Sequence, residues 1–466
     1  LDYRDSFSDI HSLSYSFIGF QSAYLATAFN PIYWNTACLV VNSGSLENEN
    51  EEDKGTSYDK LAKAIGDIQA SGIKVSLIDI NKSDYGFKPD PENNKILFGL
   101  KGVNKVGAEV VEDIIKNRPY KSIKEFMQKC PKNKSVMISL IKAGAFDELD
   151  YEWASKACKE PRIAILAWYL MQVSEPKKRL TLQNFNGLMQ KAFIPDEYNL
   201  QKQIYEFNKY LKTKKAGKYY ILDEQSNNFY CKNFDGENIE VINGYPCILQ
   251  TVWDKIYQKQ MDVIRDWLSE NQEQLLSDYN DSLFYENWLN YAEGNVSAWE
   301  MESLCFYYHP HELIDVDKLK YGITDFFSLS SESEVDYYFR RNGRDIPIYK
   351  IYKIAGTVLN KNATKSTVTL LTTEGVVNVK FSKEYFAMYN RQLSEKQDDG
   401  SKKIVEKGWF QRGNKLLISG YRREDSFVVK TYKNTNAHQL YKIVAVNGSD
   451  IQITHDRYQV QEEENE

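Results

Sequence analysis

The apolar positions of this 466-residue chain change their period twice, and each change predicts a different kind of structure. Residues 1–45 carry aromatic and small residues in a helical texture, from Ser6 through Leu25 and on to Trp34. A second helix is expected from Tyr58 to Gly72, and the apolar run after Gly72 predicts a short strand ending in a polar turn near Ser83. Lys95 to Leu149 then holds two glycine-marked helical units in tandem. In the first, Lys105-Val106-Gly107 is a tight turn leading into a helix whose apolar residues Val110, Val111, Ile114 and Ile115 recur at helical spacing. The second unit closes on Asn133 to Phe146.

This is a helix-hairpin-helix pattern. Backbone N–H groups at such a turn and at the following helix N-terminus point outward and hold a nucleic-acid phosphate without reading a base. Lys101, Asn104, Lys105, Val106, Gly107 and Ala108 are the candidate duplex-phosphate contacts. An ordinary helical corner has the same local pattern, so the flanking sequence must decide.

Residues 151–279 are less legible and are taken as an insertion. Helices are expected at Arg162–Val173, Leu200–Thr213 and Val252–Asn271, with a strand-like patch from Tyr219 to Gln250 turning at Asn227-Asn228 and Asp235-Gly236. From Ile348 the period becomes two. Ile351–Leu359, Thr367–Thr372, Gly375–Phe381 and Lys415–Tyr421 predict strands, and Lys383–Leu393 a helix between the third and fourth. Strand, strand, strand, helix, strand, strand is the order of a five-stranded OB barrel. The expected fold is therefore multidomain α+β, mostly helical and hairpin-bearing at first, with a C-terminal OB β-barrel over 346–450.

Composition narrows the class. No apolar run approaches the ~20 residues that span a bilayer, and no signal-peptide pattern is present, so a cytoplasmic protein with no membrane partner is expected. The six cysteines are scattered without a Cys-x-x-Cys pair, which predicts reduced core residues and neither a zinc site nor a disulfide framework. Net charge is −6, but Arg340–Lys433 holds 20 Lys and Arg against 9 Asp and Glu, a local +11 that leaves −17 elsewhere. That basic stretch coincides with the barrel. Lys361, Lys365, Lys380, Tyr421, Arg422 and Arg423 are the candidate single-strand contacts, cations tracking phosphates and aromatics stacking on bases. His309-Pro310-His311 lacks a third ligand nearby and reads as a helix stop rather than a metal site. The acidic tail after Val460 is expected to be disordered.

Phe7, His11-Ser12, Tyr15 and Phe20-Gln21-Ser22-Ala23-Tyr24-Leu25 fall in one register, followed by Gly72–Val75, Asp79–Asn81, Ser83, Gly99–Ile115 and Ile141–Asp147. This ordered set resembles the end of the fingers and the helix-hairpin-helix of the C-family replicative DNA polymerases, the DNA polymerase III alpha subunit family. Trp299–Pro310 is similar to the family's aromatic helix ending in His-Pro, and Asn280-Asp281-Ser282-Leu283-Phe284 resembles its sliding-clamp peptide, with Asn280 where Gln is usual. The same peptide also reads as core residues of a helix. The resemblance implies a fingers remnant over 1–94, the hairpin module over 95–150, and the clamp peptide with linker helices over 280–345.

The resemblance further implies partners: duplex primer-template and single-stranded template DNA, a sliding clamp, and a polymerase half carrying palm and thumb. His11 and Gln21 become nucleotide-facing candidates, while Asp9 stands where the family has a cation and Lys105 where it has glycine. Nucleotidyl transfer needs carboxylates that hold Mg2+, and in the family these lie in the palm, which has no counterpart here. No catalytic residue is therefore assigned, no metal or cofactor is expected in this chain, and by itself it is expected to be inactive. The first residue, Leu1, suggests a piece of something longer. The other reading is a non-catalytic DNA-binding or clamp-adaptor protein built from polymerase modules.

Overall fold

The computed structural model describes residues 9–44, 56–149, 160–397, 402–432, 438–455 and 457. Phe7, the acidic stretch from Glu47 to Lys54, Cys158 and the tail after Val460 lie outside the described residues. The chain divides into two compact units, residues 1–166 with 294–466, and residues 167–293.

The first unit opens with α1 (Asp9–Ala28) and α2 (Pro31–Asn42). Asn30 separates them, because its side chain accepts the Ile32 N–H at 3.1 Å and Pro31 can only begin a helix. After α3 (Tyr58–Ala70), β1 (Lys74–Val75) pairs parallel to β3 (Lys95–Leu97), which pairs antiparallel to β2 (Lys88–Asp90). The hairpin helices follow: α4 (Ala108–Lys116), α5 (Ile123–Lys129) and α6 (Lys134–Lys142). Ser122 and Asn133 cap α5 and α6, accepting the N–H groups of Glu125 and Val136. Val136 to Lys142 are all buried, so α6 is the spine of the module. The helix α7 (Pro161–Val173) begins in this unit.

The second unit contains α8 (Phe185–Gln190), α9 (Asn199–Thr213), the antiparallel sheet β4 (Lys215–Ala216), β5 (Tyr219–Ile221), β7 (Tyr245–Leu249), β6 (Ile239–Ile242), and the helices α10 (Glu224–Phe234), α11 (Gln250–Glu270) and α12 (Gln272–Tyr291). Its core centres on Trp253, whose indole N–H donates to Asn208 at 3.0 Å. The expected turn at Asn227-Asn228 is instead inside α10. Asp223 starts that helix by accepting the Ser226 N–H at 3.0 Å, and burial of Tyr230 against Trp253 overrides the turn preference of the two asparagines. Asp235-Gly236 does end it, both with positive φ.

Back in the first unit, α13 (Val296–Leu304) packs on α6, and the short α14 (Lys318–Tyr321) follows. The expected helix to His309-Pro310 stops earlier, because Cys305 adopts a left-handed conformation at φ 64 and ends the helix. An exposed ribbon, β8 (Val335–Arg341) and β9 (Arg344–Tyr349), precedes the barrel. In the barrel, β10 (Tyr352–Asn362), β11 (Thr367–Leu371) and β12 (Val376–Lys380) are followed by α15 (Lys383–Asn390) and a hairpin, β13 (Leu393–Lys396) with β14 (Lys402–Glu406). Arg391 is extended, which ends α15 and frees Leu393 for the hairpin rather than the helix. Then β15 (Lys415–Arg423) and β16 (Ser426–Val429) close the circle. β12 pairs parallel to β16 and β15 pairs antiparallel to β10, the connectivity of a five-stranded OB barrel. Its core holds Val358, Val368, Val377, Trp409, Leu416 and Phe427. A further hairpin, β17 (Leu440–Asn447) with β18 (Asp450–Thr454), extends the sheet from β15.

Candidate nucleic-acid interface

The hairpin turn presents backbone and one cation. Lys105 sits at φ 67, the left-handed region that costs an ordinary L-residue about 1–2 kcal/mol, and its side chain is exposed. Gly107 caps α4 with no side-chain hydrogen bond, and the space a Cβ would occupy there is open. The cap therefore offers no side-chain acceptor to the first N–H groups of α4, whose first turn also carries Glu109. The neighbouring residues hold this turn in place. Val106 is buried, and Asn104 donates its backbone N–H to Ser303 at 2.8 Å and its side-chain amide to Glu302 at 3.2 Å, tying the turn to α13. Lys101 does not reach the surface. The short turn Leu100–Gly102 folds it inward, where it is 6% exposed and its N–H bonds Tyr85.

Behind the turn lies a buried polar network. Glu300 is fully buried and accepts from Arg162 Nη1 at 2.9 Å, from the N–H groups of Tyr308 and His309 at 2.9 Å each, and meets His309 Nδ1 at 2.6 Å. Arg162 also pairs with Asp147 at 2.6 Å and donates to the Lys142 carbonyl at 3.3 Å. Burial pushes the Asp147 carboxyl up despite that guanidinium. The network locks the end of the second hairpin unit to α7 and α13. Beside it is a cleft of about 670 Å³ lined by both signs of charge, Asp79, Lys82, Lys95 and Glu148 among them. Among the described residues no group of three or more His, Cys, Asp or Glu is placed to hold a metal ion.

The barrel separates the other candidates. Lys361 and Lys365 lie at one end, by the turn from Asn362 to Thr367, while Lys380 stands between the two ends, pairing with Thr367 on one side and on the other with Val428, the partner of Tyr421; Lys365 and Lys380 are exposed. Arg423 is exposed at the other end, where Tyr352 pairs with Gly420. Its two neighbours there are already committed. Tyr421 is 8% exposed and stacks on Tyr349 at 4.4 Å, and the Arg422 guanidinium donates to the carbonyls of Phe326, Leu329 and Glu424 while lying over the Phe326 ring. These two residues hold the barrel to the preceding segment.

His11 and Gln21 lie on α1, both exposed. The helix is exposed almost throughout: Leu13, Tyr15, Phe17, Ile18, Phe20 and Tyr24 all face outward, Phe20 at 70%. Asn280, Leu283 and Phe284 lie in the middle of α12. Leu283 packs against the core of the second unit, Phe284 lies 5.9 Å from Trp288, and Asn280 exchanges hydrogen bonds with the backbone of Lys177 at 2.7 and 3.0 Å. Of the cysteines, Cys130, Cys247 and Cys305 are buried as expected, but Cys231 is exposed. Sequence reasoning missed the ribbon of β8 and β9, although Asn342-Gly343 between two runs of strand formers is a hairpin signal.

Two hairpin units and a closed five-stranded barrel define a modular protein of helix-hairpin-helix and OB type. Residues 72–155 match the helix-hairpin-helix motif family. Over 446 residues the chain is 38% identical to Probable DNA polymerase YorL of Bacillus subtilis (strain 168), and equally to the DNA-directed DNA polymerase of Bacillus phage SPbeta. Each alignment takes in 92% of this chain and 33% of the relative, so the chain spans about a third of the length of these curated relatives. The DNA polymerase III subunit alpha of Thermus aquaticus is 33% identical over 169 residues, 35% of this chain and 12% of the relative. The chain is thus similar to a portion of each of these DNA polymerases. Covering 92% of the chain, the phage alignment leaves out too little to omit the unit 167–293, which is thus shared with the phage relative. No helix among the described residues is long and apolar enough to cross a membrane.

Proposed function

We propose that this chain is the DNA-gripping portion of a C-family DNA polymerase, acting in the cytoplasm with a palm-bearing partner. The observation that carries the reading is the uncapped start of α4 behind an exposed Lys105, in a turn that Asn104 and Val106 hold rigid. Backbone N–H groups and one cation bind phosphate irrespective of base, which is what a polymerase needs to hold a duplex while it moves. Lys361, Lys365 and Lys380 give the barrel a second, basic surface for template strand. Catalysis, and the Mg2+ it uses, belong to the palm.

The apolar face of α1 favours this reading over a free-standing adaptor. A row of outward aromatics on one helix is a surface that a protein partner covers, and we assign that partner as the remainder of the polymerase. Clamp anchoring by Asn280, Leu283 and Phe284 requires α12 to unwind locally, since Leu283 packs into the core and Asn280 bonds the Lys177 backbone. The test is primer extension: this chain mixed with a folded palm-and-thumb partner restores synthesis, and Lys105→Glu reduces it in step with duplex affinity. Absence of both complex formation and synthesis with a verified partner overturns the proposal.

A further inference from the structure

The ribbon of β8 and β9 stands outside every core in the first unit, and its construction is specific. Asn342 and Gly343 have φ of 52 and 76, the two left-handed positions of a tight hairpin turn whose twist matches the strands it joins. The register places Tyr337 opposite Ile348, Phe339 opposite Ile346, and Arg341 opposite Arg344. Because side chains alternate along a strand, these six share one face: four apolar groups leading to two arginines at the tip. Tyr337 and Phe339 are 45% and 53% exposed. On the opposite face Tyr338 is exposed, and Arg340 reaches Asp345 only at 4.0 Å.

Two features are unfavourable for an isolated ribbon. Like charges directly opposite each other destabilise a hairpin, and exposed aromatic residues on a two-stranded sheet bury too little to hold it together. Both become favourable with one kind of ligand. Phosphate between Arg341 and Arg344 removes their repulsion, and unpaired bases stack on Tyr337 and Phe339, which at ~3.3 Å per residue stand about 6.6 Å apart along the strand. A second copy packed tip beside tip would bring the arginines together and add to the repulsion, and packed the other way would leave them unpaired. A duplex hides the base faces that the rings would meet.

The ribbon is also fixed to the barrel. Tyr349 stacks on Tyr421, Ser333 donates to the Arg422 carbonyl at 3.0 Å, and the Glu424 N–H donates to the Ser331 carbonyl at 2.7 Å. Its root therefore adjoins the turn that exposes Arg423. We infer that the β8–β9 ribbon is a single-stranded nucleic-acid binding element, stacking bases on Tyr337 and Phe339 and holding phosphate with Arg341 and Arg344. The inference rests on the polymerase reading only in naming DNA as the strand.

The experiment uses the full chain with fluorescein-labelled dT30 and a 30-bp duplex, followed by anisotropy over a range of salt. Arg341→Gln with Arg344→Gln should weaken dT30 binding and lower its salt slope by about 0.7, the one phosphate held between them. Tyr337→Ala with Phe339→Ala should weaken it roughly tenfold or more with the slope unchanged, as loss of base stacking does. Duplex binding should be unchanged in both, whereas Lys105→Glu should reduce duplex binding alone, so failure here is distinct from failure of the polymerase proposal. As a check independent of ribbon folding, dT30 carrying 5-iodouracil should crosslink to the ribbon aromatics of the unmodified chain. Unchanged dT30 affinity in both variants, with crosslinks confined to the barrel, overturns the inference. So does concentration-dependent self-association that the aromatic variant abolishes while dT30 binding persists.

Discussion

Glu300→Gln is the substitution that best tests how the hairpin module is held. Glu300 is wholly buried, with one carboxylate oxygen facing Arg162 and His309 and the other taking the N–H groups of Tyr308 and His309. Glutamine keeps the volume but removes the charge, and it can direct an oxygen at only one of these two sides. If its oxygen faces the two backbone donors, its NH2 group meets the Arg162 guanidinium. Breaking a buried pair by neutralising one member costs about 3–5 kcal/mol, because the other charge is left in low dielectric. Asp147 remains 2.6 Å from Arg162, so the lower end applies, about 3 kcal/mol. Since the chain has two compact units, a single global midpoint would mix their transitions. Hydrogen exchange of peptides covering Lys134–Leu149 isolates the effect: their protection should fall by roughly two orders of magnitude, at ~1.4 kcal/mol per tenfold, with peptides of residues 199–270 unchanged. A change of less than threefold in the first group would refute the claim that this network holds the module.

Other outcomes follow from single positions. Lys105→Glu should weaken duplex binding equally for all sequences and reduce its salt slope by about 0.9, one phosphate, while Lys105→Gly should relieve the left-handed turn by up to about 1 kcal/mol and still lose affinity; anisotropy and thermal melting separate the two. His311 is buried, donating through Nε2 to the Leu371 carbonyl and accepting the Leu313 N–H at Nδ1, and burial holds its pKa down to about 4 from 6.5. The unfolded chain takes up that proton first as pH falls, so stability should be full above pH 6.5 and decline toward pH 4, by up to about 3 kcal/mol. Urea titrations of His311→Gln against the unmodified chain should show that slope reduced in the variant; parallel curves would contradict it. Leu283→Ala should cost the second unit about 2 kcal/mol by opening its core. If an isolated sliding clamp binds the still-folded chain and Leu283→Ala abolishes that binding, the peptide leaves its helix in the complex.

What the sequence by itself determined is the set of elements with strong local signals: the helix periods of α4, α9 and α11, the hairpin turn at Lys105-Val106-Gly107, and the alternating strands that became a closed barrel. These depend on spacing and turn chemistry, which neighbours along the chain supply. Tertiary structure decided which side chains face outward. Lys101 and Arg422 are cations like Lys105 and Arg423, yet the first two are folded into contacts with distant residues and the other two are exposed. The Asn227-Asn228 turn became helix for the same reason, as Tyr230 found Trp253, and Leu283 was drawn into a core by α12. Burial of one residue depends on partners tens or hundreds of positions away, and no local pattern along the chain carries that information.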